Sequence, residues 1–508
     1  ALLRAGEPRT ARACFRRVAA IARDAGDPVL LARAALGHAG LGIAIIDLDE
    51  AAIGLLEEAL AALGEKQPVL RSELLARLAI ESYYAPSRDR CEALSSDAVA
   101  VARASGDAGA VAAALNARHV ALWRPDRLAE RLAAADELIA VARAAGAAQL
   151  ELQGRNWRVV DLFEALDIPE WRAEVRRHGE LAARLRLPGF AWYTPLWAAV
   201  DAVLAGRYEQ AASLREQARR EGTRAGDRNA ELFAAMLVFQ EAILRRDWTQ
   251  LDVALMEEKI RSSPAGMAWR SSFAWMLAAT GRPAAAREQL AIVAADDFAR
   301  VPFDVNWPSA IGEYAEACAE LGDPELAGPV YERLLPYADR ALTAGRAVST
   351  YGSTQRLLAG LAAVLGRTGE AIARHEAGVR ANELAGFTVW AAQGRARLAA
   401  LRGRAGRRAL TGHVRRGDGR LRGAMEIDTE YTIWIGVTDP DRVADACREL
   451  EDLEAAPEED DDEAGGHLVA FTTTADDEDD AHDRGEHAVQ RLTDAGIDAR
   501  VTRVAKAT

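Results

Sequence analysis

The chain has 508 residues, half of them apolar and 28% charged, which is length for two or three ordinary domains or one long repeat array. Its four cysteines, Cys14, Cys91, Cys318 and Cys447, are far apart and form no CxxC pair, which argues against a disulfide framework or a zinc site and fits a reducing cytoplasm. The net charge of −14 is unevenly spread, since residues 425–508 carry 25 acidic against 7 basic side chains, and no apolar run approaches the roughly 18 residues that span a bilayer.

Alanine, leucine and arginine dominate, a helical composition, and 60 of the 63 basic residues are arginine, which reads as base-composition bias in the genome. The chain opens inside a helical pattern, "ALLRAGEPRTARACF", so an upstream part of a longer protein is expected. "AIARDAGD" at Ala20, "AVARASGD" at Ala100 and "AVARAAGA" at Ala140 recur at intervals of 80 and 40. A second series starts with glycine at Gly206, Gly281, Gly322 and Gly366, spaced by 75, 41 and 44 residues. Five positions after each glycine stands Ala211, Ala286, Ala327 or Ala371, and four further on Arg215, Leu290, Tyr331 or His375. "LRRDWTQLDVAL" around Asp247 fills the longer interval as a degenerate copy. Fixed periods of about 35–45 residues predict a solenoid of antiparallel helix pairs, with no strand over residues 1–400. The glycine ends one helix, and the small alanine lets the next helix cross closely.

This series decides how "LGRTGEAIARHEAGV" (365–379) is read. Gly366 and Gly369 imitate a phosphate-cradling loop, with His375 and Glu376 as an acid–base pair. In the repeat, however, His375 fills the slot of Tyr331 and Leu290, so it is predicted to pack.

Ten tryptophans, Trp123, Trp157, Trp171, Trp192, Trp197, Trp248, Trp269, Trp275, Trp307 and Trp390, fall within the repeats, and most are expected in the core. "GFAWYTPLW" (189–197) is the densest aromatic cluster and the first candidate for a groove. Trp192, Tyr193, Trp197 and Trp307 are therefore the candidate partner-binding residues. "RPDR" (124–127) and "FDVNWP" (303–308) read as inter-repeat loops, where recognition and stability are equally plausible. His38, His119 and His178 stand alone without metal-ligand spacing. His482 and His487 lie beside "DDEDD" (476–480), where a solvated face is preferred over a divalent-cation site. No serine sits in a nucleophile elbow, and "GDGRLRG" (417–423) follows no strand. No catalytic, cofactor-binding or metal-binding residue is therefore assigned, and no cofactor is expected.

Residues 395–422 hold ten arginines in 28 positions without interleaved aromatics, which reads as a linker rather than a nucleic-acid patch. Beyond it the period changes. "EYTIWIGVT" (430–438), "HLVAFTTT" (467–474) and "IDARVTRV" (497–504) read as strands. Residues 439–456 and 481–496 read as helices, and "EEDDDE" (458–463) as a solvated acidic loop. The predicted domains are thus a helical-repeat region at 1–402, an Arg/Gly-rich linker at 403–427 and a small acidic β-α-β-α-β unit at 428–508. Met425 stands where the composition changes, and 425–508 is open to being a separate gene product joined by read-through.

The glycine–alanine series resembles tetratricopeptide repeats. Longer phrases resemble the C-terminal helical region of large bacterial ATPase regulators, among them LuxR-type transcriptional regulators and cyclase–ATPase signalling proteins. These are "LLARAALGHAG" (30–40), "ARHVALWRPDRLAERLAAADELIAVA" (117–142), "GRNWRVVDLFE" (154–164), "NWPSAIGEYAEACAELGDPELAGPVYERLLPYADR" (306–340) and "GRAVSTYGSTQRLLAGLAAVLGRTGEAIARHEAGVRANELAG" (345–386). The chain contains no GxxxxGK[ST], and no helix-turn-helix follows Ala400, so neither ATP hydrolysis nor DNA binding carries over. The resemblance implies a non-enzymatic scaffold or sensor segment that binds a protein partner or small inducer on its concave face, with no nucleic-acid or membrane contact. The alternative is a fragment of an ATP-dependent regulator whose P-loop lies upstream.

Overall fold

A computed structural model describes residues 8–40, 49–85, 88–227, 229–249, 251, 258, 260, 266–294, 298, 301–416, 429–437, 456–461, 467–475 and 499–506, with 486, 488–490 and 492–493. The chain divides into two compact units, Ala1–Leu410 and Thr411–Thr508.

The first unit is almost entirely helical. Its turns are built as the repeating glycines require: Gly26, Gly106, Gly206, Gly281, Gly322 and Gly366 all have φ between 61° and 75°, the left-handed region open to glycine at no steric cost. Asp27, Asp107 and Asp323 then cap the following helices, each side chain accepting a backbone N–H of the first turn. At the corresponding place before Ala148–Glu164 stands Ala147, and no side chain makes that bond. The crossing alanines Ala211, Ala286, Ala327 and Ala371 are buried, at most 3% exposed, as close helix approach demands.

Neighbouring helices pack on one another and also on the helix two places along. Thus Pro28–Ala39, Pro68–Glu81, Ala108–Ala121 and Ala148–Glu164 touch in series, as do Gly266–Ala279, Trp307–Leu321 and Thr354–Val364. These helices form an inner layer, and the largest core cluster, from Val159 to Trp390, takes side chains from it and from the intervening helices alike.

One element departs from the expectation of a strand-free region. Strands β1 (Ala341–Ala344) and β2 (Ser349–Ser353) form an antiparallel hairpin whose every strand residue is buried. Burial on both faces removes the apolar–polar alternation by which a strand is recognised. The expected linker at 403–427 is corrected in part. Helix Thr388–Arg416 runs through its first half, because arginine, alanine and leucine are good helix formers and each glycine costs only about 1 kcal/mol. Residues 417–428 of that segment lie outside the described residues.

In the second unit β3 (Thr429–Val437), β5 (His467–Ala475) and β6 (Ala499–Lys506) stand where strands were expected. The sheet has a fourth strand, β4 (Ala456–Asp461), in the order β4-β5-β3-β6 with all neighbours antiparallel. β4 covers much of the expected acidic loop. It is an edge strand paired with β5 alone, a position where charged side chains are tolerated and blunt edge-to-edge association. Residues 486, 488–490 and 492–493 are helical within the expected second helix, with Ala488 and Leu492 buried. The expected helix at 439–456 lies outside the described residues except for Ala456, which begins β4.

Candidate functional site

The hairpin occupies the inner layer's face. β1 packs on Trp307–Leu321 and Ala148–Glu164, and β2 on Ala230–Arg245, Trp307–Leu321, Thr354–Val364 and Thr368–Ala385. Polar bonds fix its depth. Gln240 Oε1 accepts both Ser349 Oγ (2.6 Å) and the Thr350 N–H (2.7 Å). At the base, Arg340 donates to the Pro125 carbonyl at 2.6 Å. At the tip, Trp197 Nε1 donates to the Arg346 carbonyl at 3.0 Å, and Arg346 Nη1 donates to Tyr193 Oη at 3.1 Å. The Arg346 guanidinium lies 4.8 Å from the Trp157 ring centroid and 5.9 Å from that of Tyr193. Gly345 and Ala347 flank it at φ 62° and 55°. For alanine that conformation is strained, so the surrounding packing must hold the tip.

Three buried polar centres surround the hairpin. In the first, His119 stacks on Trp157 and bonds Asp161 Oδ2 at 2.8 Å, while Arg131 bridges Asp161 and Glu164 at 2.5 Å each. Burial lowers the His119 pKa despite the carboxylate beside it. In the second, Glu313 accepts Ser271 Oγ (2.5 Å), Ser272 Oγ (2.7 Å) and Tyr351 Oη (2.5 Å). Burial pushes its carboxyl up to about 7, against the three donors that favour the ionised form. In the third, Arg356 pairs with Glu316, donates to the Tyr351 carbonyl and lies 4.1 Å from the Trp390 ring centroid. Burial opposes ionisation of Glu316, but Arg356 and Arg397 outweigh it and hold the carboxyl below its ordinary range. Each centre joins elements some 30 to 42 residues apart, one or two helices along the chain. None of these residues was singled out for a polar role in the sequence, because isolated Asp, Glu and Arg on helices look like surface charge.

The four candidate partner-binding residues are corrected. Trp192, Tyr193, Trp197 and Trp307 are at most 3% exposed, and the first three pack around His178, Phe233 and the hairpin tip. A ring without exposed surface has no contact area to offer, so these side chains do not line an open groove. Trp123, Trp157, Trp171, Trp275 and Trp390 are buried as expected, and Trp248 packs against the core from a partly buried position. His375 is 2% exposed, and burial drives its pKa down to about 4. Glu376 instead meets Arg402 at 2.7 Å on the exterior, so the two form no acid–base pair. The loop at 303–308 folds back on the early repeats. Val305 N donates to Tyr83 Oη at 3.1 Å, and Arg124 of "RPDR" lies 5.4 Å from the Phe303 ring centroid.

Among the described residues no group of three or more His, Cys, Asp or Glu is placed to hold a metal, and no helix is long and apolar enough to cross a membrane. Cys91 and Cys318 are buried thiols, pushed up to about 11 and 12 by burial, which makes them poor nucleophiles.

No protein-family description and no curated protein matches the chain. Among solved structures, it is similar to a "Circular tandem repeat protein with novel repeat topology and enhanced subunit contact surfaces", at 14% identity over 79% of this chain and 99% of that one, with a TM-score of 0.17.

Proposed function

We propose that the first unit is a tetratricopeptide-like α-solenoid serving as the non-enzymatic scaffold or sensor segment of a signalling or transcriptional regulator, where it binds a protein partner or small inducer. The observation that supports this reading is the packing order: helices meet their neighbours and, along two runs of the unit, the helix two places along, with glycine turns at Gly206, Gly281, Gly322 and Gly366 each followed by a buried alanine. Stacked helix pairs of this kind expose extended surface at little cost in new contacts. The buried polar centres favour a structural reading over a catalytic one, because Glu313 and His119 are sealed from water and their polar partners are the chain's own. The phrases shared in character with ATPase regulators support a place in such a protein.

The test uses a photo-cross-linking residue at Ile21, Ile292 or Leu384, which are 60, 42 and 84% exposed. In the cell of origin a discrete, saturable protein adduct is expected from at least one position. No adduct from any of them would overturn the scaffold reading. Phosphate release from ATP by the purified chain would overturn the non-enzymatic one.

A further inference from the structure

We propose that a second copy of the chain extends the second unit's sheet head to tail, the acidic edge strand β4 of one copy pairing with the basic edge strand β6 of the next. Among the described residues each of these strands has a single neighbour, β5 for β4 and β3 for β6. The sheet therefore ends on both sides in a strand with an open ladder, and an open ladder is a template for a further strand.

The two edges carry opposite charge. β4 holds Glu458, Glu459, Asp460 and Asp461 and no basic residue. β6 holds Arg500, Arg503 and Lys506 and no acidic one. These are three of only 7 basic residues in a segment, 425–508, that carries 25 acidic ones, so the scarce positive charge is concentrated on one edge.

Strand direction fits the same pairing. Every neighbouring pair is antiparallel, so β3 and β4 run one way and β5 and β6 the other. A copy set beside the first in the same orientation places its β4 antiparallel to β6, which continues the alternation without turning the sheet over. With 6 and 8 residues, the two edges are also of similar length.

Charge selects among the ways two copies could meet. β4 on β4 sets acid against acid, and β6 on β6 sets base against base. Like charges across a strand pair destabilise it, while opposite charges favour it. The acids that blunt β4 against itself or a neutral strand are thus counter-charges for β6. A two-fold dimer is disfavoured, and the head-to-tail contact leaves a free edge at each end, so copies add into a ring or an open chain. This goes beyond the scaffold reading and does not rest on it, since the cross-linking positions of that test all lie in the first unit.

The test is sedimentation of the full chain at about 1 to 300 μM, a range suited to a short interface. Species larger than a dimer are expected to grow with concentration and to shrink at about 1 M salt, where the Debye length falls to about 3 Å. Hydrogen exchange of the parent needs no variant: amides of β4 and β6 should slow as concentration rises, with β3 and β5 unchanged. Arg500→Glu, Arg503→Glu and Lys506→Glu together make both edges acidic. Glu458→Lys, Glu459→Lys and Asp460→Lys together make both edges basic. Each triple variant alone is expected to stay monomeric, and their equimolar mixture to recover the large species. A parent that stays monomeric would overturn the proposal, as would a variant that assembles alone or a mixture of folded variants that does not assemble. Should a variant lose the parent's circular dichroism, exchange in the parent decides, and amides of β4 and β6 that ignore concentration overturn the pairing.

Discussion

Glu313 shows how one buried side chain sets a pH dependence. Its carboxyl titrates near 7 in the folded chain, above its ordinary 4.5, because burial disfavours the charge. A raised carboxyl pKa means the folded state binds the proton more tightly. The stability it contributes is therefore full below about pH 4.5 and lost as pH rises through 7, about 3 kcal/mol over that window. His375 and His178, depressed to about 4 and 3, act in the opposite sense, since their stability is present above pH 6.5 and lost as pH falls. Glu313→Gln removes only the first effect. Denaturant melts at pH 5 and 8 should find the stability gap between parent and variant shifting toward the variant at pH 8; a gap independent of pH would show that Glu313 titrates normally. At Ala147 the missing cap gives a gain instead. Ala147→Asp reproduces Asp107 and is expected to add about 0.5–2 kcal/mol. An unchanged or lower melting temperature would mean that the turn there cannot place the carboxylate.

The hairpin is the element on which the inner layer closes. Gly352 sits at φ 71°, and an added Cβ would meet Asn382 Oδ1 at 2.9 Å and the Trp390 ring at 3.1 Å. Asn382 also accepts the Ser353 N–H at 2.9 Å, so a methyl there displaces the side chain that anchors β2. Gly352→Ala is expected to cost about 1–3 kcal/mol, read by thermal denaturation, with no loss meaning that β2 tolerates a shift. Ala327 tests the helix crossings in the same way. It is fully buried, and Ala327→Leu should overpack the contact by about 1–3 kcal/mol.

Within the first unit, early and late repeats are joined directly. Tyr83 Oη donates to the Trp123 carbonyl at 2.5 Å and accepts the Val305 N–H, Arg172 reaches the Ala385 carbonyl, and Gln393 reaches that of Leu244. A linear stack transmits stability only between neighbours, whereas these bonds tie segments some 150 to 220 residues apart. Tyr83→Phe strands a buried N–H and a carbonyl, at about 1–3 kcal/mol. Hydrogen exchange should quicken at 301–308 as well as around 68–123; acceleration confined to the earlier segment would show that the bridge carries no coupling.

What the sequence alone determined is local and periodic. Gly206 and Gly366 mark left-handed turns, and Ala286 and Ala371 mark close crossings, because each effect acts within a few residues and repeats. That His375 packs was legible for the same reason: its slot is shared with Tyr331 and Leu290. The hairpin was not legible. "ALTAGRAVSTYGS" (341–353) has the Thr, Val and Tyr of a strand, but no alternation, and its Gly-Arg-Ala tip imitates a repeat turn. The exposure of Trp192, Tyr193, Trp197 and Trp307 was misjudged because burial is a tertiary property: Tyr193 and Trp197, for example, meet the hairpin, which arrives from about 150 residues farther along the chain. Pairing of charges is likewise a tertiary fact. Nothing in sequence separates Arg131, which meets two carboxylates, from Arg346, which meets none among the described residues; only the folded arrangement of helices decides which buried cation gains a counter-charge.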